Sequence, residues 1–420
     1  MIFTNKCFIK NKSVCIISNM KILFVSQYYY PERISSTEIA ETLVKLGHEV
    51  SVVCGKPNYG FNEILPEYKK IKFEIINGVK VHRINVFPRK KNRISVIFNY
   101  LSFYFLARHY VRFMKEKFDV VFSMSLSPVI SISPAILYSK KHHVPHTLFC
   151  LDLWPESTVV TGAVSNKSLM YKILYSWSVS LYKKCDNIIV SSPSFINYFN
   201  EILNIKNKNF IYINQPALFD AEKCCPIEYE HQYNIVYAGN VGKIQLINLI
   251  VKSMNYLKDI DVVLHIMGNG SEIDNIKRLI KDLHLENKVI YHGLMKTREV
   301  EKYYWNADAL IVSLSKEGYV GKTIPNKAVQ YLQYSRPILG IIQGDGQQLL
   351  SDAGGAIFAL ENEKSISDSI RKIISLSNEE KVLFGKSNKD YFDKHLSTLE
   401  IVSKIQSVLI DSKKDDKDTD

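Results

Sequence analysis

Paired cysteines are missing from this sequence. Seven cysteines stand among 420 residues, and none forms a C-x-x-C unit. Cys224 and Cys225 are adjacent, a spacing that does not suit an ordinary structural disulfide. An odd count without a framework excludes a disulfide scaffold and points to a reducing cytosol. A secretory signal is also lacking: residues 1–19 carry Lys6, Lys10 and Lys12 but no apolar core of the required length. The longest uncharged run, 120–139, contains Pro128, Pro134 and several serines, so it reads as strand, loop and helix rather than a membrane span. No G-x-G-x-x-G loop follows the first strand, which argues against a dinucleotide-dependent dehydrogenase. His142, His143 and His146 cluster without Asp, Glu or Cys at ligand spacing, so no metal is expected. Acidic residues are outnumbered, 42 against 54 Lys and Arg, leaving a formal charge of +12. That excess suits a phosphate-bearing, anionic-lipid or nucleic-acid partner alike. No nucleic-acid motif accompanies it, so nucleic acid is not expected as a partner.

What is present is a repeated alternation of apolar runs and helical spacing. The length suits two domains. KILFVS (21–26) is a buried strand, 36–46 a helix stopped by Gly47, and EVSVVC (49–54) the next strand, together a right-handed βαβ unit. The alternation continues to about residue 213, breaks over the aperiodic stretch 216–232, and resumes at 234–238. The expected division is an extension over 1–19, a first Rossmann-like domain over 20–215, a linker over 216–232 and a second Rossmann-like domain over 233–387. A C-terminal helix over 388–411 packs back on the first domain in this reading, and 412–420 is a disordered tail.

Three stretches carry chemistry. Residues 317–342 (EGYVGKTIPNKAVQYLQYSRPILGII) read as a loop, a helix opened by Pro325, a break and a buried strand. The free N–H groups of that helix start, flanked by Lys322 and Lys327, suit a phosphate. Asp152 and Glu156 follow the strand HTLFC and so lie at the carboxyl edge of the first sheet, where open α/β sheets bind ligands. Segment 89–117 places eight Lys and Arg, including Arg108 and Arg112, against the single acid Glu116, with bulky apolar residues between them. Such a segment suits the interface of an anionic membrane, and a core helix with a solvated basic rim is the competing reading.

The motifs KILFVSQYYYPE, LGHEVSVV, DLWPES, YAGNVGK, MGNG, YHGLM and IPNKAVQYLQYSRPIL, in this order, resemble family-four retaining glycosyltransferases of the GT-B architecture. DLWPES with GNVGK and IPNKAVQY is similar to the N-acetyl-L-fucosaminyl transferases of capsule and O-antigen assembly. The resemblance implies an α/β fold of two doubly wound domains facing a central cleft. It implies a nucleoside-diphosphate-sugar co-substrate, UDP-linked, and a lipid-linked oligosaccharide acceptor. It also implies peripheral attachment to the inner face of the plasma membrane. Donor binding is then expected from Gly239, Asn240, Gly242, Lys243, Gly268, Glu317, Pro325, Asn326, Lys327 and Gln330, and catalysis from Asp152 and Glu156. The family's two glutamates, eight positions apart, are replaced by Lys322 and Gln330. A glutamine still accepts and donates hydrogen bonds where the family's second glutamate holds the ribose. A sugar-nucleotide epimerase of the same shape and a degenerate donor-binding protein are the alternatives.

Overall fold

The computed structural model describes all residues except 1–18, 33, 91, 161, 220, 222–226, 228 and 418–420. The extension expected over 1–19 therefore falls almost wholly outside the described residues. The first sheet contains β1 (Lys21–Val25), β2 (Glu49–Gly55), β3 (Phe73–Ile76), β4 (Val79–Ile84), β5 (Val120–Ser125), β6 (His146–Cys150), β7 (Asn187–Val190) and β8 (Asn209–Tyr212). Their order is β3-β4-β2-β1-β5-β6-β7-β8, and only the edge pair β3–β4 is antiparallel. The second sheet contains β9 (Tyr233–Ala238), β10 (Val262–Met267), β11 (Val289–Gly293), β12 (Ala309–Ser313), β13 (Ile338–Ile341) and β14 (Ala356–Phe358). It is parallel throughout, in the order β11-β10-β9-β12-β13-β14.

Helices cover both faces of each sheet, which is why the central strands read as unbroken apolar runs. Ile22, Leu23 and Phe24 of β1 are fully buried, as are Leu310, Ile311 and Val312 of β12. Each sheet reverses its winding once. The first does so between β1 and β5, the second between β9 and β12. Loops leaving the strand ends diverge at such a switch point and open a crevice.

Between the sheets, Ala217, Leu218, Phe219 and Ala221 are held in place. Ala217 is fully buried. Gln330 Oε1 accepts from Leu218 N at 3.0 Å, and Gln330 Nε2 donates to Phe219 O at 3.1 Å. One turn on, Gln333 Oε1 accepts from Ala221 N at 3.0 Å, and its Nε2 donates to Phe219 O at 3.2 Å.

Three local expectations are corrected. Pro325 does not open the helix from within. It is the capping residue, extended at φ −71° and ψ 146°, and the helix spans Asn326–Tyr331 before tightening into a 3₁₀ turn to Tyr334. The single helix expected over 388–411 is two, Asn378–His395 and Thr398–Lys417. The break is made by buried Leu396 and by Ser397, whose hydroxyl accepts from Glu400 N at 3.4 Å. The tail expected to be disordered over 412–420 is helical as far as Lys417. There Ser412 accepts from Asn187 Nδ2 at 2.8 Å and Lys413 pairs with Asp119 at 2.9 Å. Helix Thr398–Lys417 thus lies on the first domain, against β5, β6 and the helix Ser36–Lys45.

Candidate active site

The switch point of the second sheet is built around Tyr237, at the end of β9. Its hydroxyl donates to Asn240 O at 2.5 Å and accepts from Lys327 Nζ at 2.6 Å. The Lys327 ammonium also sits 4.2 Å above the Tyr237 ring centroid. Tyr331, fully buried on the following helix, clamps the same strand end. Its hydroxyl accepts from Ala238 N and donates to Ala238 O, each at 3.1 Å. Gly239 is required here twice over: its φ is +140°, and a Cβ would overlap the Lys327 side chain. A Cβ on Gly268 would overlap the Gly239 backbone, so that glycine lets the ends of β9 and β10 approach.

Lys327, Tyr331, Gly239 and Gly268 border an open cavity of about 340 Å³. Gly239, Asn240, Gly268, Asn326, Lys327 and Gln330 all line it. Burial holds Lys327 down at about 7, far below an ordinary ammonium, because the charged form has lost its water. Its hydrogen-bond partner is a neutral phenol. A cation desolvated beside neutral groups is poised to take an anion.

The other expected donor residues lie outside that lining. Lys243 begins a short 3₁₀ turn and is exposed. The Gly242 N–H is taken by Gln245 Oε1 at 3.1 Å. Glu317 is exposed on the loop after β12, and Pro325 caps its helix.

Asp152 follows β6 at the carboxyl ends of the strands of the first sheet. Burial raises its carboxyl to about 7, against the lowering effect of hydrogen bonds from Ser157 and the Leu153 N–H. Glu156 opens the short helix Glu156–Val160 and is also raised by burial. Its carboxylate faces the second domain: a Cβ built on Gly318 would lie 3.9 Å from Glu156 Oε1. His146, in the cluster read as metal-free, is a core residue whose Nε2 lies 2.7 Å from Ser123 Oγ.

The switch point of the first sheet opens a second cavity of about 310 Å³, lined by Tyr28, Tyr59, Arg89, Tyr100 and Ser127. Leu218 and Asn326 line both cavities and form a common wall. The sequence did not point to Tyr28, Tyr59 or Tyr100, nor to Tyr237. The available signal was position, since Tyr28 and Tyr237 lie within or just past the strands that flank each reversal.

Arg108 and Arg112 line neither cavity, although they stand on the helix Arg93–Arg112, whose Tyr100 lines that of the first sheet. Arg108 is half-buried, donating to Ser133 Oγ at 2.6 Å and stacking on Tyr104, whereas Arg112 is exposed. The outward line of this helix also carries exposed Ile94, Ile97, Phe98 and Phe105. Leu169, Met170 and Ile173 are exposed on the helix Leu169–Tyr182, which meets it through Tyr104 and Trp177. Among the described residues no helix is long and apolar enough to cross a membrane.

Two family models match, and between them they span most of the chain. Glycosyltransferase Family 4 matches residues 34–214, and Glycosyl transferases group 1 matches residues 226–390. The chain is 23% identical over 201 residues to the probable glycosyltransferase WbjE of Pseudomonas aeruginosa, covering 46% of this chain and 50% of that protein. It thus spans about half the length of that curated relative. Among solved structures, HepE of Anabaena in complex with UDP and glucose superposes with a TM-score of 0.68 at 12% identity, over 93% of this chain and 99% of that one. WaaG, a glycosyltransferase involved in lipopolysaccharide biosynthesis, superposes at 0.65 and 12% identity, with the same coverage. Likeness at such identities carries the fold, two facing Rossmann-like domains of the GT-B type.

Proposed function

The chain belongs to the glycosyltransferase group 1 and family 4 superfamily, and from that premise we propose that it is a retaining, nucleotide-sugar-dependent enzyme of capsule or O-antigen synthesis. It moves an N-acetylated sugar such as N-acetyl-fucosamine from a UDP-linked donor to a lipid-linked oligosaccharide. The observation that carries this reading is the pair of cavities, one at each switch point, with Leu218 and Asn326 as their common wall. A donor seated on the second sheet and an acceptor seated on the first would meet across those two residues.

In this reading the diphosphate lies against the Gly239–Asn240 turn and Lys327, with exposed Lys243 reaching it from the rim. Negative charge grows on the leaving diphosphate as the glycosidic bond breaks, and the Lys327 ammonium neutralises it. Gln330 stands beside the ribose. Asp152 and Glu156 orient the acceptor hydroxyl or stabilise the positive charge that develops on the sugar. The exposed apolar line of helix Arg93–Arg112 and the neighbouring face of Leu169–Tyr182 rest in the headgroup region of an anionic bilayer, where a lipid-linked acceptor is found.

Thermal denaturation with UDP, GDP and ADP tests the donor, because a ligand that binds only the native state raises Tm. UDP is expected to raise it and the others not; no shift with UDP would refute the assignment. The degenerate alternative is favoured by one observation: both ends of the Gln330 amide already serve the Leu218–Phe219 backbone. UDP release measured with a panel of UDP-sugars and a bacterial lipid extract separates the two readings, since a donor-binding protein would bind UDP and turn over none of them.

A further inference from the structure

The first-sheet cavity contains a cation with which no carboxylate forms an ion pair among the described residues. Arg89 Nη1 donates to Tyr28 Oη at 2.9 Å and to Tyr100 Oη at 2.7 Å. The guanidinium carbon stands 5.1 Å from the Tyr59 ring centroid and 5.2 Å from that of Tyr100. All of these partners are neutral, and no carboxylate pairs with Arg89 among the described residues. An arginine does not escape desolvation by losing its proton. A partly buried charge without a counterion is costly, which makes an anion the natural occupant.

The donor geometry agrees. Arg89 Nε and Nη2 make no hydrogen bond among the described residues, so three of the five guanidinium N–H groups remain open. Tyr28 and Tyr100 each accept from Arg89 and make no other hydrogen bond there, which leaves each phenol proton to be donated. Burial raises both phenols, and Glu32 and Asp152 press them further toward the protonated form. Glu32 does not compete for the arginine. Its carboxylate is held by the N–H groups of Tyr29, Asn58 and Tyr59 at 3.3, 2.8 and 2.6 Å.

The cage is fixed in advance. Asn58 Oδ1 accepts from Arg89 N and from Asn99 Nδ2, both at 3.0 Å, and Asn99 is fully buried. Donors held in place lose little entropy on binding. An arginine fork with phenol donors matches the oxygens of a phosphate or a carboxylate.

We propose that this cavity binds an anionic group on the acceptor, so that the acceptor unit is a phosphorylated or carboxylated sugar. This rests on the reading of the cleft as a donor and acceptor site. Isothermal titration of the full chain with glucose 6-phosphate, glucuronate and glucose, with and without saturating UDP, tests it. At least one charged sugar is expected to bind tenfold or more tightly than glucose, and which one does so distinguishes phosphate from carboxylate. Arg89→Gln should abolish the preference while leaving UDP affinity within twofold. Equal binding of glucose and both charged sugars, or a preference that survives Arg89→Gln, would overturn the proposal. If Arg89→Gln fails to fold, the double variant Tyr28→Phe, Tyr100→Phe keeps the guanidinium and removes both phenol donors. It should weaken the charged sugar about tenfold, and unchanged affinity would count against the cage. A chain that takes the charged sugar but not UDP would refute the donor assignment alone.

Discussion

Lys327 shows how much one side chain can hold. It was visible in the sequence as a lysine beside a helix start, but its setting was not. Its partner Tyr237 lies 90 residues earlier, and a Cβ at Gly239 would overlap the end of the lysine side chain that makes the contact. Replacing it by methionine removes a charge-assisted contact worth about 1.5–3 kcal/mol, so UDP affinity should fall roughly 10- to 100-fold by titration calorimetry. The pH dependence follows from burial. Below about pH 7 the ammonium is already protonated; above it, the free protein has lost that proton and the diphosphate must bring it back. UDP affinity is therefore expected to fall as pH rises above 7. Titrations at pH 8 in buffers of different ionisation enthalpy should show proton uptake that Lys327→Met abolishes. Arg89 was legible only as one basic residue in a basic segment. Its phenol partner Tyr28 is 61 residues away, and no local pattern records such a meeting.

Among the elements, the strands were the most legible, because a strand covered on both faces must be apolar along its whole length. The short helix Asn326–Tyr331 was legible as a helix but not in its duties. Gln330 of that helix and Gln333 of the 3₁₀ turn that continues it reach a backbone 111 to 114 residues earlier, and nothing local announces that. Gln330→Glu leaves no N–H to donate to Phe219 O and sets a carboxylate against that carbonyl. The melting temperature is expected to drop by on the order of 5 °C in a calorimetric scan. Helix Arg93–Arg112 carries the other element-scale prediction. Changing Ile94, Phe98 and Phe105 together to serine should reduce flotation with anionic vesicles about tenfold or more, with little change in Tm, since all three are already exposed. Undiminished flotation would remove this helix from the membrane reading.

At the scale of the molecule, the two-domain division was readable from the break in periodicity. The length of the last helix was not, because its charged end resembles a solvated tail until Lys413 meets Asp119. Ile401, Val402, Ile405 and Leu409 of that helix are buried. Each contributes about 2 kcal/mol on burial, a sum comparable with the net stability of a typical domain. A chain ending at Ser397 is therefore expected to be recovered as aggregate, or to melt at least 15 °C lower by circular dichroism. The path of that helix has a mechanical result. The backbone passes from one half to the other twice, once beside Ala217 and once beside Leu396. Two such tethers would confine any relative movement of the halves to a rotation about the line that joins them. Any opening or shutting of the cleft would then retrace a single arc about that line.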